Sequence, residues 1–270
     1  MYFYYPTRYS SFWYMVSTMA KNSYYNELHD SVLIFSLYLY SDINEFRIKH
    51  PGCKIIVYQM EPLCAIDHWW KPEKIIAELK KADEVWDYDY QNVILLKLHG
   101  INAKFKPFLY TSENEYNIKD STRDIDVLFY GTASPKRGQW LSDVLFHIHE
   151  TVNAVCLTNI FHPTIENYIN RSKIIINIHN APSVRQQEQP RLGYLLTNGK
   201  HIISEKSSIN YYGDLITEVN DWKEMVITIH DILKNYDIEN EKNIKNRFSQ
   251  ISYEHITEYA KQELETKILK

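Results

Sequence analysis

The chain has 270 residues, and its 30 Lys and Arg against 34 Asp and Glu give a formal net charge of −4 at pH 7. A hydrophobic fraction of 44% and a charged fraction of 24% are typical of a folded globular chain and exclude a disordered one. The slight acidity argues against a protein held on nucleic acid mainly by its overall charge, although a local basic patch stays open. The length predicts one large domain or two small ones.

Several common site types are excluded by what the sequence lacks. Cys53, Cys64 and Cys156 are isolated and form no C-x-x-C pair, which excludes a disulfide framework and a cysteine-rich zinc site. With seven glycines there is no G-x-G-x-x-G and no Walker A motif, so a classical dinucleotide dehydrogenase and a P-loop NTPase are both disfavoured. The N-terminus does not read as a signal peptide, and the longest apolar run, 32–40, is too short to span a bilayer. We therefore expect a cytoplasmic protein with no transmembrane segment.

The first 110 residues alternate between short apolar runs and segments of helical periodicity. The Tyr-rich stretch 2–14 predicts a packed strand and helix. The apolar runs predict strands at 31–38, 54–58, 84–86 and 103–109. The periodic segments predict helices near 10–20 and 41–49, and at 71–82 and 90–98.

A polar stretch at 111–124 interrupts this alternation, which then restarts. Strands are predicted at 125–130, 152–157, 173–178 and 201–204. Helices are predicted at 140–148, 164–170, 189–198 and 222–233, with one or two more at the end. Repeated βα units predict parallel sheets with helices on both faces, and the break predicts two such sheets.

We therefore predict an α/β protein with two Rossmann-like domains whose parallel sheets face each other across a cleft. The predicted boundaries are an N-terminal domain at 1–110, a linker at 111–124, a C-terminal domain at 125–250 and a terminal helix at 251–270. Ligands of such sheets bind at the carboxyl ends of the strands, and a cleft between domains is a preferred small-molecule site.

An ordered set of short motifs carries a family resemblance. The motifs are V-Y-Q-M-E-P-L at 57–63, A-D-E-V-W-D-Y at 82–88 with Asn92, I-D-V-L-F-Y-G at 125–131 with Lys136-Arg137, R-S-K-I-I-I-N-I-H at 171–179, E-x-x-R-x-x-Y-L-L from Glu188, and I-I-S-E at 202–205. Over roughly residues 50–215 the chain resembles the GT-B-type glycosyltransferases. The resemblance implies that the C-terminal domain holds a nucleotide diphosphate sugar, most often a UDP-sugar, without a metal. It also implies that the N-terminal domain takes the acceptor and that the terminal helix packs back on that domain.

Glu188 and Arg191 are the first candidates for donor binding. They lie at the start of the helix predicted at 189–198, where N–H groups and the helix dipole favour an anion. The resemblance gives Glu188 the role of accepting hydrogen bonds from two ribose hydroxyls, and Arg191 could bind a phosphate as a bidentate donor. The alternatives are a helix-capping acid for Glu188 and a surface salt bridge for Arg191.

Further donor-binding candidates follow the strands predicted at 125–130 and 173–178. Gly131 allows close approach of a ligand, and the side chains of Lys136 and Arg137 would neutralise the leaving diphosphate in place of a metal. A solvated basic turn is the alternative for that pair. His179 and Asn180 follow the second strand at a position suited to a donor contact, and Arg185 is a further phosphate candidate.

An inverting transfer also needs a base that deprotonates the acceptor hydroxyl. Glu61, at the end of the strand 54–58, is one candidate, with Asp67 or His68 in the next loop as substitutes; Glu61 could instead simply end the strand. Asp87-x-Asp89 matches the D-x-D metal motif of the other glycosyltransferase fold, but its place at the start of a helix favours a structural role.

The sequence therefore predicts a metal-independent glycosyltransferase that passes a sugar from a nucleotide diphosphate sugar to a hydroxyl. The acceptor could be a polysaccharide, a glycolipid or a modified nucleic acid. Two alternatives stay open, namely a non-catalytic nucleotide- or glycan-binding scaffold on the same fold and a phage-type transferase that glycosylates a modified DNA base.

Overall fold

The computed structural model describes residues 1–4, 10–35, 42–63, 72–115, 122–160 and 162–268. The chain divides into two compact units. Unit 1 comprises Met1–Leu109 and Ser252–Lys270, and unit 2 comprises Tyr110–Ile251. Each unit contains a five-stranded parallel sheet flanked by helices, which confirms the predicted α/β class with two Rossmann-like parallel sheets.

In unit 1 the strands lie in chain order across the sheet. They are β1 (Tyr2–Tyr4), β2 (Ser31–Phe35), β3 (Lys54–Gln59), β4 (Glu84–Asp87) and β5 (Lys104–Phe105). The helices of this unit are α1 (Ser10–Tyr24), α2 (Asn44–Lys49), α3 (Pro72–Leu79), α4 (Tyr90–Leu98) and the terminal α10 (Tyr253–Ile268).

The sheet of unit 1 is covered by apolar side chains on both faces, because successive strand residues point to opposite sides. Val32 and Val57 belong to one core cluster with residues of α2, α3 and α4. The alternate positions carry aromatic rings. Tyr58 stacks on Phe108 with ring centroids 5.4 Å apart and meets Trp86 edge-on at 5.9 Å. Burial on both faces explains why these strands read as continuous apolar runs.

Unit 2 has the strand order β10-β9-β8-β6-β7. Its strands are β6 (Ile125–Gly131), β7 (Ala154–Thr158), β8 (Ser172–Asn177), β9 (His201–Glu205) and β10 (Ile216–Val219). Its helices are α5 (Pro135–Ile148), α6 (Thr164–Arg171), α7 (Gln189–Thr197), α8 (Trp222–Lys234) and α9 (Glu239–Ser249).

This order contains one reversal. From β6 the chain moves outward to β7, then crosses back to place β8 on the other side of β6 before continuing to β9 and β10. The carboxyl ends of β6 and β8 therefore flank a topological switch point. In open parallel sheets, ligands bind in the crevice at such a point.

Most predicted elements are present with small shifts, and two strands differ clearly. The strand predicted at 103–109 is reduced to β5, because Pro107 has no N–H to continue the ladder. The sequence does not predict β10, a four-residue strand that pairs with β9. Part of the strand predicted at 31–38 lies outside the described residues, and the described part of the predicted linker belongs to unit 2. Among the helices that the structure describes, none is long and apolar enough to cross a bilayer.

Candidate functional site

The residues predicted to bind a donor come together at the carboxyl edge of the sheet of unit 2. They lie after β6, after β8 and at the starts of α5 and α7: Gly131, Lys136, Arg137, His179, Asn180, Arg185, Glu188 and Arg191. Hydrogen bonds and ion pairs join seven of them into one network, and Gly131 lies against two of its guanidinium groups. This edge of unit 2 is the candidate functional site.

Arg137 spans the switch point. Its Nε donates to the carbonyl oxygen of Ile178, after β8, at 2.8 Å, while its Nη1 donates to the carbonyl oxygen of Thr132, after β6, at 3.0 Å. The same Nη1 reaches Asn180 Oδ1 at 3.3 Å. Burial and the nearby charge of Arg191 lower the pKa of Arg137 to about 10, so the guanidinium stays cationic at neutral pH. Arg137 is therefore a buried side chain whose hydrogen bonds link the ends of β6 and β8.

Glu205, at the end of β9, accepts hydrogen bonds from three groups: an ammonium, a guanidinium and a backbone N–H. Lys136 Nζ lies 2.6 Å from both carboxylate oxygens, and Arg185 Nη1 lies 2.7 Å from Oε1. The backbone N–H of His179 donates to Oε2 at 3.0 Å. Glu205 is only 2% exposed, so this arrangement fixes the positions of two cations that the sequence assigns to phosphate binding. Sequence reasoning did not assign Glu205 a role; its place after a buried strand was the available signal.

Glu188 and the fully buried His179 form an ion pair at the start of α7. Glu188 Oε1 lies 3.2 Å from His179 Nδ1, and the other ring nitrogen faces the carbonyl oxygen of Lys206 at 3.3 Å. Burial opposes the charge on His179, but Glu188 and Glu205 outweigh it and raise its pKa. Burial likewise disfavours ionised Glu188, yet His179, Arg191 and Arg137 together hold its pKa at about 2. Because the Glu188 side chain makes no capping hydrogen bond to α7, the helix-capping alternative finds no support in the geometry.

Arg191 is held over the sheet by two contacts. Its Nη1 donates to Asn177 Oδ1 at 2.9 Å, and its guanidinium lies 5.2 Å from the ring centroid of Tyr130. Asn177 in turn donates from Nδ2 to Glu188 Oε2 at 2.8 Å. A Cβ atom added at Gly131 would lie 3.2 Å from Arg191 Nη2, so any side chain at Gly131 would press on this guanidinium. Asn177 and Tyr130 were also missed by sequence reasoning, since both read as ordinary strand residues.

The charge of the site suits an anion. Lys136, Arg137, Arg185 and Arg191 outnumber the carboxylates of Glu188 and Glu205 by two, before any charge on His179. The N-termini of α5 and α7 place the positive ends of two helix dipoles at this edge. The first N–H groups of α7 are already used within the chain, because Gln189 N–H donates to the carbonyl oxygen of Gln187 at 2.8 Å and Arg191 N–H to that of Glu188 at 3.0 Å. Within the described ranges, no group of three or more His, Cys, Asp or Glu side chains is arranged to hold a metal ion. The arrangement can bind a phosphate or diphosphate and stabilise negative charge that develops on it.

The three candidates for a base lie in unit 1 or outside the described residues. Glu61 follows β3 and is half-buried, and its backbone oxygen accepts hydrogen bonds from Gln59 Nε2 and Asn92 Nδ2 at 2.6 and 2.9 Å. Asp67 and His68 fall within 64–71, which the structure does not describe.

The D-x-D motif has a structural role. Asp89 is the N-cap of α4 and accepts a hydrogen bond from the N–H of Gln91 at 2.7 Å. Asp87 is fully buried and accepts one from the N–H of Asp89 at 2.7 Å. Burial and the charges of Asp89 and Glu61 raise the pKa of Asp87 well above its usual value. Both carboxylates of the motif are therefore engaged at the start of α4, in agreement with the structural role expected from the sequence.

No protein-family model matches the chain, and a search of curated proteins by sequence finds no match. Solved structures do match. Sucrose-phosphate synthase from Thermosynechococcus elongatus is 12% identical with a TM-score of 0.55, over 98% of this chain and 80% of that one. Anabaena HepE, in complex with UDP and glucose, is 12% identical with a TM-score of 0.52, over 94% and 81%. S. aureus TarM, in a complex that includes UDP, is 12% identical with a TM-score of 0.54, over 88% and 57%. These likenesses show that the chain has the fold of GT-B glycosyltransferases, which confirms the fold expected from the resemblance.

Proposed function

We propose that the protein is a glycosyltransferase that takes a sugar from a nucleotide diphosphate sugar, most simply a UDP-sugar, and passes it to an acceptor hydroxyl. The observation that carries the proposal is the cationic network at the switch point of unit 2. Four permanent cations, two helix N-termini and an ionised Glu188 lie at one strand edge. The UDP bound in the similar structures of HepE and TarM supports the choice of nucleotide.

The proposed donor site assigns a role to each residue of the network. The guanidinium of Arg191 and the positive end of the α7 dipole bind the diphosphate, and the absence of a side chain at Gly131 lets it approach β6. Lys136 and Arg185 contribute charge from the positions that Glu205 gives them. Arg137, Asn180 and the His179–Glu188 pair hold the two strand ends in place around the ligand.

Transfer breaks the bond between the anomeric carbon and the diphosphate oxygen and forms a bond to the acceptor oxygen. The negative charge left on the diphosphate is the charge that the transferase must stabilise. We propose that the cations of the network do this without a metal ion. Glu61, Asp67 and His68 stay candidates for the base that receives the acceptor proton if the transfer inverts the anomeric centre.

The acceptor class and the location are further parts of the proposal. A polysaccharide, a glycolipid or a modified nucleic acid each offers a hydroxyl. Steep salt dependence of acceptor binding would favour the nucleic acid, because counterion release dominates such binding. A cytoplasmic location rests on the isolated cysteines, which suit a reducing compartment.

A thermal-shift panel tests the donor assignment. UDP, GDP, ADP, TDP and CMP are added with EDTA or with magnesium to the wild type, to Arg191→Ala and to Arg247→Ala. Arg247 lies on α9 and is half exposed, so its variant is a matched control for the loss of one arginine. A nucleotide at about 100 times its Kd stabilises by about 2.7 kcal/mol, which is several degrees for a chain of this size.

We expect UDP to raise the Tm in EDTA in the wild type and in Arg247→Ala, and not in Arg191→Ala. If none of the nucleotides raises the Tm of the wild type, the proposal is contradicted. UDP binding without release of UDP from UDP-glucose, either to water or to any acceptor offered, would favour the non-catalytic binding protein instead.

A further inference from the structure

Strand β7 forms one edge of the sheet of unit 2, and within the described ranges it pairs with β6 alone. It has five residues, Ala154–Thr158, none of which is charged and none of which is proline. Cys156 and Thr158 are exposed, and the other three residues are half-buried. The register with β6 is continuous over all of β7, so no bulge twists this edge away. β7 therefore presents a regular and uncharged edge.

The other edge strands of the two described sheets are protected in the ways that edges usually are. β1 has three residues, and β5 has only two, the first of which is Lys104. β10 has four residues and carries Glu218. Short length and charged side chains keep such edges from pairing with another chain, and β7 has neither. An unprotected edge in a fold whose other edges are protected indicates an interaction surface.

The hydrogen bonds of β7 show which of its backbone groups face away from β6. The carbonyl oxygen of Asn153 accepts from the N–H of Asp126 at 2.9 Å, and the N–H of Asn159 donates to the carbonyl oxygen of Gly131 at 3.2 Å. Because backbone groups alternate along a strand with a period of two, the odd-numbered residues between these two also face β6. The N–H and carbonyl groups that point outward along the free edge are those of Ala154, Cys156 and Thr158.

This set of outward groups is complementary to itself. In two copies of β7 that lie antiparallel about a two-fold axis, hydrogen bonds form only where outward residues face each other. All three outward residues are used only when the axis passes through Cys156, which places Ala154 opposite Thr158 of the second copy. That register gives roughly six hydrogen bonds, two for each pair of outward residues. It also sets Val155 against Leu157 of the second copy, an apolar pair on the other face.

We propose that β7 is a dimerisation edge whose partner is β7 of a second copy of this chain, paired antiparallel with Cys156 at the two-fold axis. The two five-stranded sheets of unit 2 then join into one continuous sheet. Their carboxyl edges point in opposite directions, because the paired strands run antiparallel. Pairing of five residues a side buries less than the about 1,200 Å² of a standard interface, so we expect a reversible dimer with a Kd of about 1–100 µM. The pairing does not depend on the proposed donor site.

Disulfide trapping tests the partner and the register together. In the proposed register the two Cys156 Cα atoms lie about 5.5 Å apart, a distance that a disulfide spans. The two Thr158 Cα atoms lie roughly 14 Å apart, which is too far. Cys53→Ser with Cys64→Ser leaves Cys156 as the single thiol of the chain. The matched control adds Cys156→Ser and Thr158→Cys, which moves the thiol to the other exposed residue of the strand.

Diamide, which takes up the hydrogens of two thiols as they join in a disulfide, is added to both chains in their folded state. We expect the chain with Cys156 to form a covalent dimer at least about tenfold faster than the chain with Thr158→Cys, whose thiols meet only in random collisions. Equal rates in the two chains would overturn the proposed pairing.

Sedimentation velocity in a reducing buffer measures the association without a covalent bond, in the wild type, Cys156→Ser and Cys156→Lys. Cys156 is exposed, so neither substitution removes a core contact. Lysine sets two like charges directly opposite each other at the axis, which destabilises a strand pair. We expect the wild type and Cys156→Ser to dimerise between about 1 and 500 µM and Cys156→Lys to stay monomeric. A wild type that stays monomeric over this range, or a dimer that Cys156→Lys leaves intact, would overturn the proposal and leave the donor site untouched.

Discussion

The ion pair of Glu188 and His179 makes a prediction about stability that can be worked out from the site. Glu188→Gln keeps the shape of the side chain and removes its charge. In the folded protein the pKa of Glu188 lies at about 2, against an ordinary value of 4.5, because His179, Arg191 and Arg137 outweigh the effect of burial. The unfolded chain therefore binds a proton at this carboxylate before the folded chain does.

The sign and the size follow from proton linkage. A carboxylate with a lowered pKa in the folded state stabilises the fold above pH 4.5, and this stabilisation is lost as the pH falls towards about 2. At about 1.4 kcal/mol for each pH unit, the full contribution is roughly 3 kcal/mol, and about 1.4 kcal/mol of it should be gone at pH 3.5. Glutamine cannot ionise, so a chain with Glu188→Gln lacks this part of the pH dependence. Because Glu188 also raises the pKa of His179, the comparison uses the double variant Glu188→Gln/His179→Gln, in which neither side chain titrates.

The assay is equilibrium urea unfolding at several pH values between 7 and 3.5. Hydrogen exchange on peptides that cover β8 and α7 accompanies it, because a chain with two units need not unfold in one step. Between pH 5 and 3.5 His179 of the wild type is charged in the folded and in the unfolded chain, so we expect the free energy of unfolding of the wild type to fall by about 1.2 kcal/mol more than that of Glu188→Gln/His179→Gln over this range. The exposed Glu150→Gln variant should follow the wild type. Parallel profiles of the wild type and Glu188→Gln/His179→Gln between pH 5 and 3.5 would refute the reasoning.

Three further predictions concern unit 2. Gly199 has φ +70°, and a Cβ atom there would lie 2.2 Å from the backbone oxygen of Glu241, whereas Gly213 has φ +57° with open space around it. Gly199→Ala should therefore lower the free energy of urea unfolding by about 1–3 kcal/mol more than Gly213→Ala. Equal losses in the two variants would contradict this close contact. Burial lowers the pKa of Lys200 to about 8, although the charge of Glu241 acts in the opposite direction. The unfolded chain therefore holds more protons than the folded chain between pH 8 and 10, so the free energy of unfolding of the wild type should rise over this range and that of Lys200→Met should not. Urea midpoints at both pH values measure this. Arg137→Lys should lower the free energy of unfolding by about 2 kcal/mol, because one ammonium group cannot donate to the carbonyl oxygens of both Thr132 and Ile178. An unchanged urea midpoint would argue against a stabilising link between the two strand ends.

The sequence was informative about strands and their ends. Buried parallel strands require continuous apolar runs, so β3, β6 and β8 could be located, and polar residues just after such runs pointed to the carboxyl edge. This is why the sequence alone assigns Lys136, His179 and Glu188 to one site.

The internal pairing of the site could not be predicted in the same way. Glu205 meets Lys136 across 69 positions of sequence, and no local pattern encodes that contact. Nor does the sequence separate a cation that faces a ligand from one that ties two strands together, as Arg137 does with only 4% of its surface exposed. The sequence does not predict β10 because this edge strand has only four residues, too few for a clear alternation of apolar and polar side chains.

Isothermal titration of UDP into the wild type in EDTA tests the central claim most directly. We expect one site per chain, metal-free binding that Arg191→Ala removes, and no change in Arg247→Ala, because Arg191 lies at the switch point and Arg247 does not. Absence of binding by the wild type, or binding that Arg191→Ala leaves intact, would contradict a donor site at the carboxyl edge of unit 2.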